Sequence, residues 1–327
     1  MNPIVRSLLI FSGILVVCLV LFFVVRPAVS KSRALSSLDE TGRDRYEQWA
    51  LQPVGINPAE LSVTLPSADF EEEKKRLFDA WNKIAVLVNT HQQALIDIAK
   101  RKQVVLTDDV SFLADFDSYI NQLQKVVQHP DYALEELNFY SSQSEVAMAT
   151  LPVIQHTRTI LFVRGLNALA TGNNQGFVSA TELLIQLASN HPYATTFVNS
   201  LRWSILDRAV SLARLAQGIP AAKSAAEQLR PQFAAVIESM KLLESADETS
   251  LDHVGIVRML VKQGELNALP AITETTNGEE LFRMAVLRDD ASTLQAARSY
   301  AITYGAMNEI ASQRRELLRN LEYLVTQ

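Results

Sequence analysis

The chain has one cysteine, Cys18, in 327 residues, and that cysteine lies inside an apolar run. The remainder can therefore form no internal disulfide and offers no thiolate to a substrate or metal. Glycine and proline number only 11 each, aromatic residues make up 7%, and alternating apolar and polar runs are few. A sheet protein needs turns and period-two strands, so these shortages argue against one. Also missing are the metal signatures HExxH, ExxH and paired CxxC, the nucleophile turn GxSxG and the phosphate loop GxxxxGK[ST]. Inward carboxylates and histidines at the three- or four-residue spacing of helical metalloenzymes are absent as well. No catalytic residue, cofactor or metal site is expected.

Basic charge is short too. Residues 1–33 hold four basic groups and no acid, which leaves 26 basic against 36 acidic groups beyond them, a net of −10. A body that acidic, with no Lys/Arg stripe, is a poor match for nucleic acid.

What is abundant is apolar surface at helical spacing. The stretch Ser7 to Pro27 carries no charge before Arg26. Its 18-residue core, Leu8 to Val25, would span roughly 27 Å as a helix, close to a bilayer's hydrocarbon thickness. Signal-peptide cores are usually about 7–15 residues, so residues 1–27 read as a retained single-pass anchor, with the membrane contacted through residues 7–26. Arg6 lies on one side of it and Arg26, Lys31 and Arg33 on the other, a charge balance that taken alone favours a cytoplasmic body. The short N-terminal tail instead fits a signal anchor in the inner membrane with an extracytoplasmic, periplasmic body. That is the orientation expected.

Residues 28–68 form a juxtamembrane linker, with a short helix over Thr41–Ala50 and a loop containing Pro53, Pro58 and Pro66. Residues 69–129 read as a helical hairpin. Asp69 and Glu72 fit a capping box. Leu77, Trp81, Ile84, Val88, His91, Leu95 and Ile98 then recur at spacings of four and three. Val110, Leu113, Phe116, Ile120, Leu123 and Val127 supply the second face. The connection near Gln103 to Asp108 is short enough to make the pair antiparallel. The EEEKKR run is expected to be a solvated first turn with pairs Glu71–Lys75 and Glu72–Arg76.

Residues 130–327 read as further helices over Tyr132–Tyr140, Ser144–Thr171, Phe177–Asn190, Ala194–Gln217, Ala221–Glu244, Leu251–Gln263, Glu279–Arg288 and Ala291–Thr326. The last has Met307, Ile310, Leu317, Leu321 and Leu324 on one face. Amphipathic stretches end at Gly172, Gly218 and Gly264, each 46 residues after the last. Glycine suits a helix end because it accepts the left-handed conformation. The segment LNALATGNNQGFVSATELLIQLA resembles the helix–turn–helix of tetratricopeptide-type proteins, over about one hairpin. The expected fold is all-α: a transmembrane helix followed by a large helical bundle or an irregular TPR-like α-solenoid of antiparallel hairpins.

The remaining candidates are single residues. His91 takes a seam position and reads as a core histidine, with no metal-type partner since Asp97 lies on another face. His129 and His191 each precede a proline, where a histidine suits the negative end of a helix. His156 and His253 carry no pattern. Arg158 and Arg164 flank the apolar run TILFV and either grip an anionic group or snorkel over apolar neighbours, as do Arg314 and Arg315. Trp81 belongs to a seam; Trp49 and Trp203 read as local core. One anchor, an acidic helical body and no catalytic pattern point to a non-enzymatic scaffold or accessory subunit that docks protein partners at a membrane. The alternative is an extracytoplasmic helical domain that binds a small molecule.

Overall fold

The computed structural model describes residues 40–51, 66–101, 110–137, 144–190, 196–241, 275–280 and 307–326, with a few isolated positions besides. These residues are all-helical, with no strand among them beyond one isolated antiparallel bridge between Pro53 and Asn277. The chain divides into two compact units: Met1–Val63 with Tyr140–Ser144 and Asp252–Asn308, and Thr64–Phe139 with Glu145–Leu251 and Glu309–Gln327.

No helix among the described residues is long and apolar enough to cross a membrane. The run Ser7 to Pro27 lies outside those residues, apart from Val25, so the structure lends the transmembrane expectation no support. The helix expected over Leu251–Gln263, and with it Gly264, also lies outside them, as do His191 and His253.

In the first unit, α1 spans Glu40–Leu51, matching the short linker helix, and buries Ala50. A capping box, unforeseen, opens the turn after Asn277. The Glu280 N–H donates to Asn277 Oδ1 at 3.0 Å and the Asn277 N–H to Glu280 Oε2 at 3.3 Å.

In the second unit, α2 spans Ala68–Arg101 and α3 spans Asp117–Val127, preceded by a 3₁₀ segment, Ser111–Phe116. They are antiparallel. Gln122 Nε2 reaches Glu73 Oε2 at 2.6 Å, Trp81 meets Tyr119 edge-on at 5.4 Å, and His91 stacks flat on Phe112 at 4.2 Å. The α2 residue number rises as its partner's falls. Every aliphatic seam residue from Leu77 to Ile98 is buried, while Trp81 and His91 are half-buried.

Two details at the start of α2 differ from expectation. Ser67, not Asp69, is the cap: its Oγ accepts from the Phe70 N–H at 3.4 Å, and Ser67 in turn donates from both N and Oγ to Asp131. The helix begins one residue before Asp69, which places that carboxylate inside the first turn, where it faces the helix's positive end. Nor is the EEEKKR run wholly solvated. Lys74 is only 5% exposed, bonded to Glu71 at 2.6 Å and to the Glu136 carbonyl at 3.3 Å, so Glu71 pairs with Lys74 rather than Lys75. Glu72–Arg76 forms as expected, at 2.5 Å.

Where a helix was expected over Tyr132–Tyr140, only a 3₁₀ turn, Leu134–Leu137, appears among the described residues. Its backbone is drawn to the end of the helix at Leu187 instead. The Leu134 N–H donates to Ser189 O at 2.8 Å and the Tyr132 hydroxyl to Leu187 O at 2.7 Å.

The middle of the unit is α4 (Ser144–Ala170), α5 (Asn174–Leu187) and α6 (Thr196–Gln217). Ile160, Leu161, Phe162 and Val163 are each fully buried, a whole turn of α4 with neighbours all round. The α4–α5 turn follows from its sequence. Gly172 has φ 71°, the Asn173 N–H returns to Ala168 O at 2.8 Å, and the Gly172 N–H to Leu169 O at 3.3 Å. Asn173 then caps α5, its Oδ1 accepting from the Gly176 N–H at 2.9 Å.

Helices α4 and α6 run parallel at a constant offset. Arg158 bonds Ser204, Phe162 lies under Arg208, and Gly165 packs against Leu212, so each contact pairs residues 46 or 47 apart. The sequence spacing from Gly172 to Gly218 is the register of that packing. The two glycines nevertheless act differently. Among the described glycines only Gly172 has positive φ; after α6 the chain tightens through Gly218 N–H to Leu215 O and Ile219 N–H to Ala216 O.

The helix expected over Ala221–Glu244 is two: α7 (Lys223–Gln228) and α8 (Arg230–Lys241). Pro231 explains the break, because it has no N–H to return to Glu227 and its ring crowds that carbonyl. Finally, α9 spans Met307–Thr326, buries Leu317, Leu321 and Leu324, and is tied by Arg214 to Asn320 at 2.7 Å and by Lys241 to Glu322 at 3.6 Å.

Candidate functional site

The histidines and arginines singled out in the sequence do not converge. His91 stacks on Phe112 and His156 on Trp81, the latter at 6.0 Å, with its pKa lowered by burial. His129 lies past the end of α3, and its Nδ1 accepts the Asp131 N–H at 3.1 Å while the ring leans on Phe70 at 5.2 Å. It braces the turn that holds Ser67. Among the described residues, no three His, Cys, Asp or Glu side chains gather as a metal site.

Arg158 and Arg164 are not snorkelling surface charges; both join helices. Arg164 pairs with Asp117 of α3 and reaches the Leu113 carbonyl at 3.4 Å. Arg158 donates to Ser204 of α6 at 2.7 Å, its Nε is buried without a partner, and burial lowers its pKa. Trp203 is 5% exposed, with its Nε1 likewise unpartnered.

Arg164 stands in the wall of a cleft of ≈490 Å³ between α3, α4 and α5. Its floor is apolar, with Leu113, Ile120, Leu161 and Leu183. Its sides carry Asn121 and Gln124 of α3, Asn167 of α4 and Ser179 of α5. Among the described residues, the side chains of these four make no hydrogen bond. The lining charges Asp117 and Arg164 neutralise each other, so the cleft presents amides and hydroxyls over apolar surface with no net charge.

The chain matches no protein family, no curated protein and no solved structure. What the cleft does must be read from its own chemistry. Carboxamides both donate and accept, so a group that presents both N–H and C=O matches them, and an apolar floor suits apolar side chains. Neither the α3 pair nor Asn167 drew attention in the sequence. The available signal was polar residues three apart beside an apolar face: the uncharged pair Asn121 and Gln124, and Asn167 three residues after the charged Arg164.

Proposed function

We propose that this chain is a membrane-tethered, non-enzymatic docking protein whose helical hairpins form a short irregular array and whose α3–α4–α5 cleft receives an extended, uncharged segment of a protein partner. The observation that carries this reading is the neutral, amide-lined cleft itself. The constant offset between α4 and α6 supports the array: an identical relation between successive hairpins is how helical repeats build a continuous groove. The apolar run from Ser7 to Pro27 supports the tether, which would hold the body on the extracytoplasmic face of the inner membrane and raise its effective concentration there.

The test is affinity isolation of the full chain from native membranes, compared with Asn121→Arg and Asn167→Arg. A partner retained by the native chain and lost by both variants supports the reading. A chain that isolates alone, or a partner indifferent to both variants, contradicts it. A reporter fused after Gln327 reads the side of the membrane independently.

A further inference from the structure

A second cavity, of ≈280 Å³, lies between α4, α6 and α9. Its chemistry is the reverse of the cleft's. Four charged side chains line it: Arg158 of α4, Asp207 and Arg208 of α6, and Glu316 of α9. Among the described residues, none of the four forms an ion pair. The guanidiniums are partly buried. Arg158 spends one nitrogen on Ser204 and leaves Nε without a partner, while Arg208 lies over the Phe162 ring at 4.8 Å and reaches Ala99 O at 3.4 Å. The carboxylates are exposed at the rim. Burial and the neighbouring Arg208 charge both weaken the cationic form of Arg158, and Asp207 only partly offsets them.

Two like charges in one cavity, with Asp207 acting on Arg158 only from beyond ion-pair distance, are costly, and an anion between them lowers that cost. The unpaired carboxylates at the mouth offer the complementary place for a cation. One small molecule satisfies both conditions only if it carries both signs. The volume falls at or below the lower end of ordinary ligand pockets, which excludes large occupants.

We propose that this pocket binds a small zwitterion of the α-amino acid class. Its carboxylate faces Arg158 and Arg208, its ammonium faces Asp207 and Glu316, and its side chain rests against Trp203 and Leu317. The site lies apart from the cleft, so it stands or falls independently of the docking function.

The test is titration of the full chain with the common L-amino acids, followed by calorimetry and by tryptophan fluorescence, in which Trp203 reports. At least one amino acid is expected to bind saturably below about 1 mM. Propionate, propylamine and inorganic phosphate should bind about tenfold more weakly or not at all, since each lacks one charge. Arg158→Gln and Asp207→Asn should each weaken binding about tenfold or more, Trp203→Phe should abolish the fluorescence change, and Asn121→Ala in the cleft should alter neither. Should Arg158→Gln fail to fold, Asp207→Asn decides, because Asp207 is exposed. The proposal is overturned by no saturable response up to about 10 mM, by Asp207→Asn binding as tightly as the native chain, or by phosphate or propionate matching the best amino acid.

Discussion

The cleft and the pocket share helix α4 but differ in how their arginines are met. Arg164, in the cleft, has a carboxylate on the helix beside it and is neutralised by Asp117. Six residues earlier, Arg158 meets a hydroxyl, Ser204, and remains an unpaired charge. One difference in the facing residue makes one cavity a neutral surface suited to a peptide backbone and the other a charged socket suited to a small ion. Arg202 extends the series. It is 4% exposed, bonds Ser239 at 2.7 Å, and among the described residues leaves Nε and Nη1 unpartnered.

The largest effect should come from Arg202. Burial lowers its pKa to about 10, so the unfolded chain binds the proton more tightly than the folded one. The folded state is therefore penalised throughout neutral pH, and stability rises only as pH climbs through about 10 and above. Arg202→Met should raise stability by about 1–4 kcal/mol in denaturant unfolding and remove that alkaline rise. A loss of stability in Arg202→Met would break the series at its extreme member.

Next is Gly165, where a β-carbon would lie 2.5 Å from Leu212 Cδ1. Leu212 is fully enclosed, so Gly165→Ala should force α4 and α6 apart and cost about 1–3 kcal/mol. The damage should fall on the charged pocket these helices share, with cleft binding kept. Gly172→Ala should do the opposite. Its left-handed residue sets the turn that places Asn173 and Ser179, so the change should cost about 1–2 kcal/mol and impair the cleft. Gly218→Ala, with ordinary φ, should stay within about 0.5 kcal/mol of neutral or stabilise slightly. Equal losses at the two glycines would contradict the different helix endings. A mild effect is also expected of Asp117→Asn. Asp117 is more than half exposed, so breaking its pair should cost under about 1 kcal/mol while leaving Arg164 an uncompensated charge in the cleft.

Much of the helical framework was legible because period and punctuation agree. The seam from Leu77 to Ile98, its partner face and the turn at Gly172 all appear where spacing and glycine put them. Misjudgements came where a distant residue decides. Ser67 caps α2 while Asp131, 64 residues away, holds it in place. After Tyr132 the N–H groups of Leu134 and Glu135 go to Ser189 and Asn190 past the end of α5, and Leu134–Leu137 forms a 3₁₀ turn. The proline at 231 was visible, but the apolar pattern runs across it and hides the break. The sites were least legible of all. Arg158 and Arg164 flank TILFV symmetrically, and nothing local tells which will find a carboxylate. That is settled by Asp117 and Ser204, 47 and 46 residues away.

The docking role is tested most directly by photo-crosslinking in native membranes. A photoreactive residue replaces Asn167 inside the cleft in one chain and Asp207 at the pocket rim in another. The account predicts that Asn167 captures one protein through a single extended, uncharged segment, and that Asp207 captures none. Identical adducts from both positions, or none from Asn167, would contradict it.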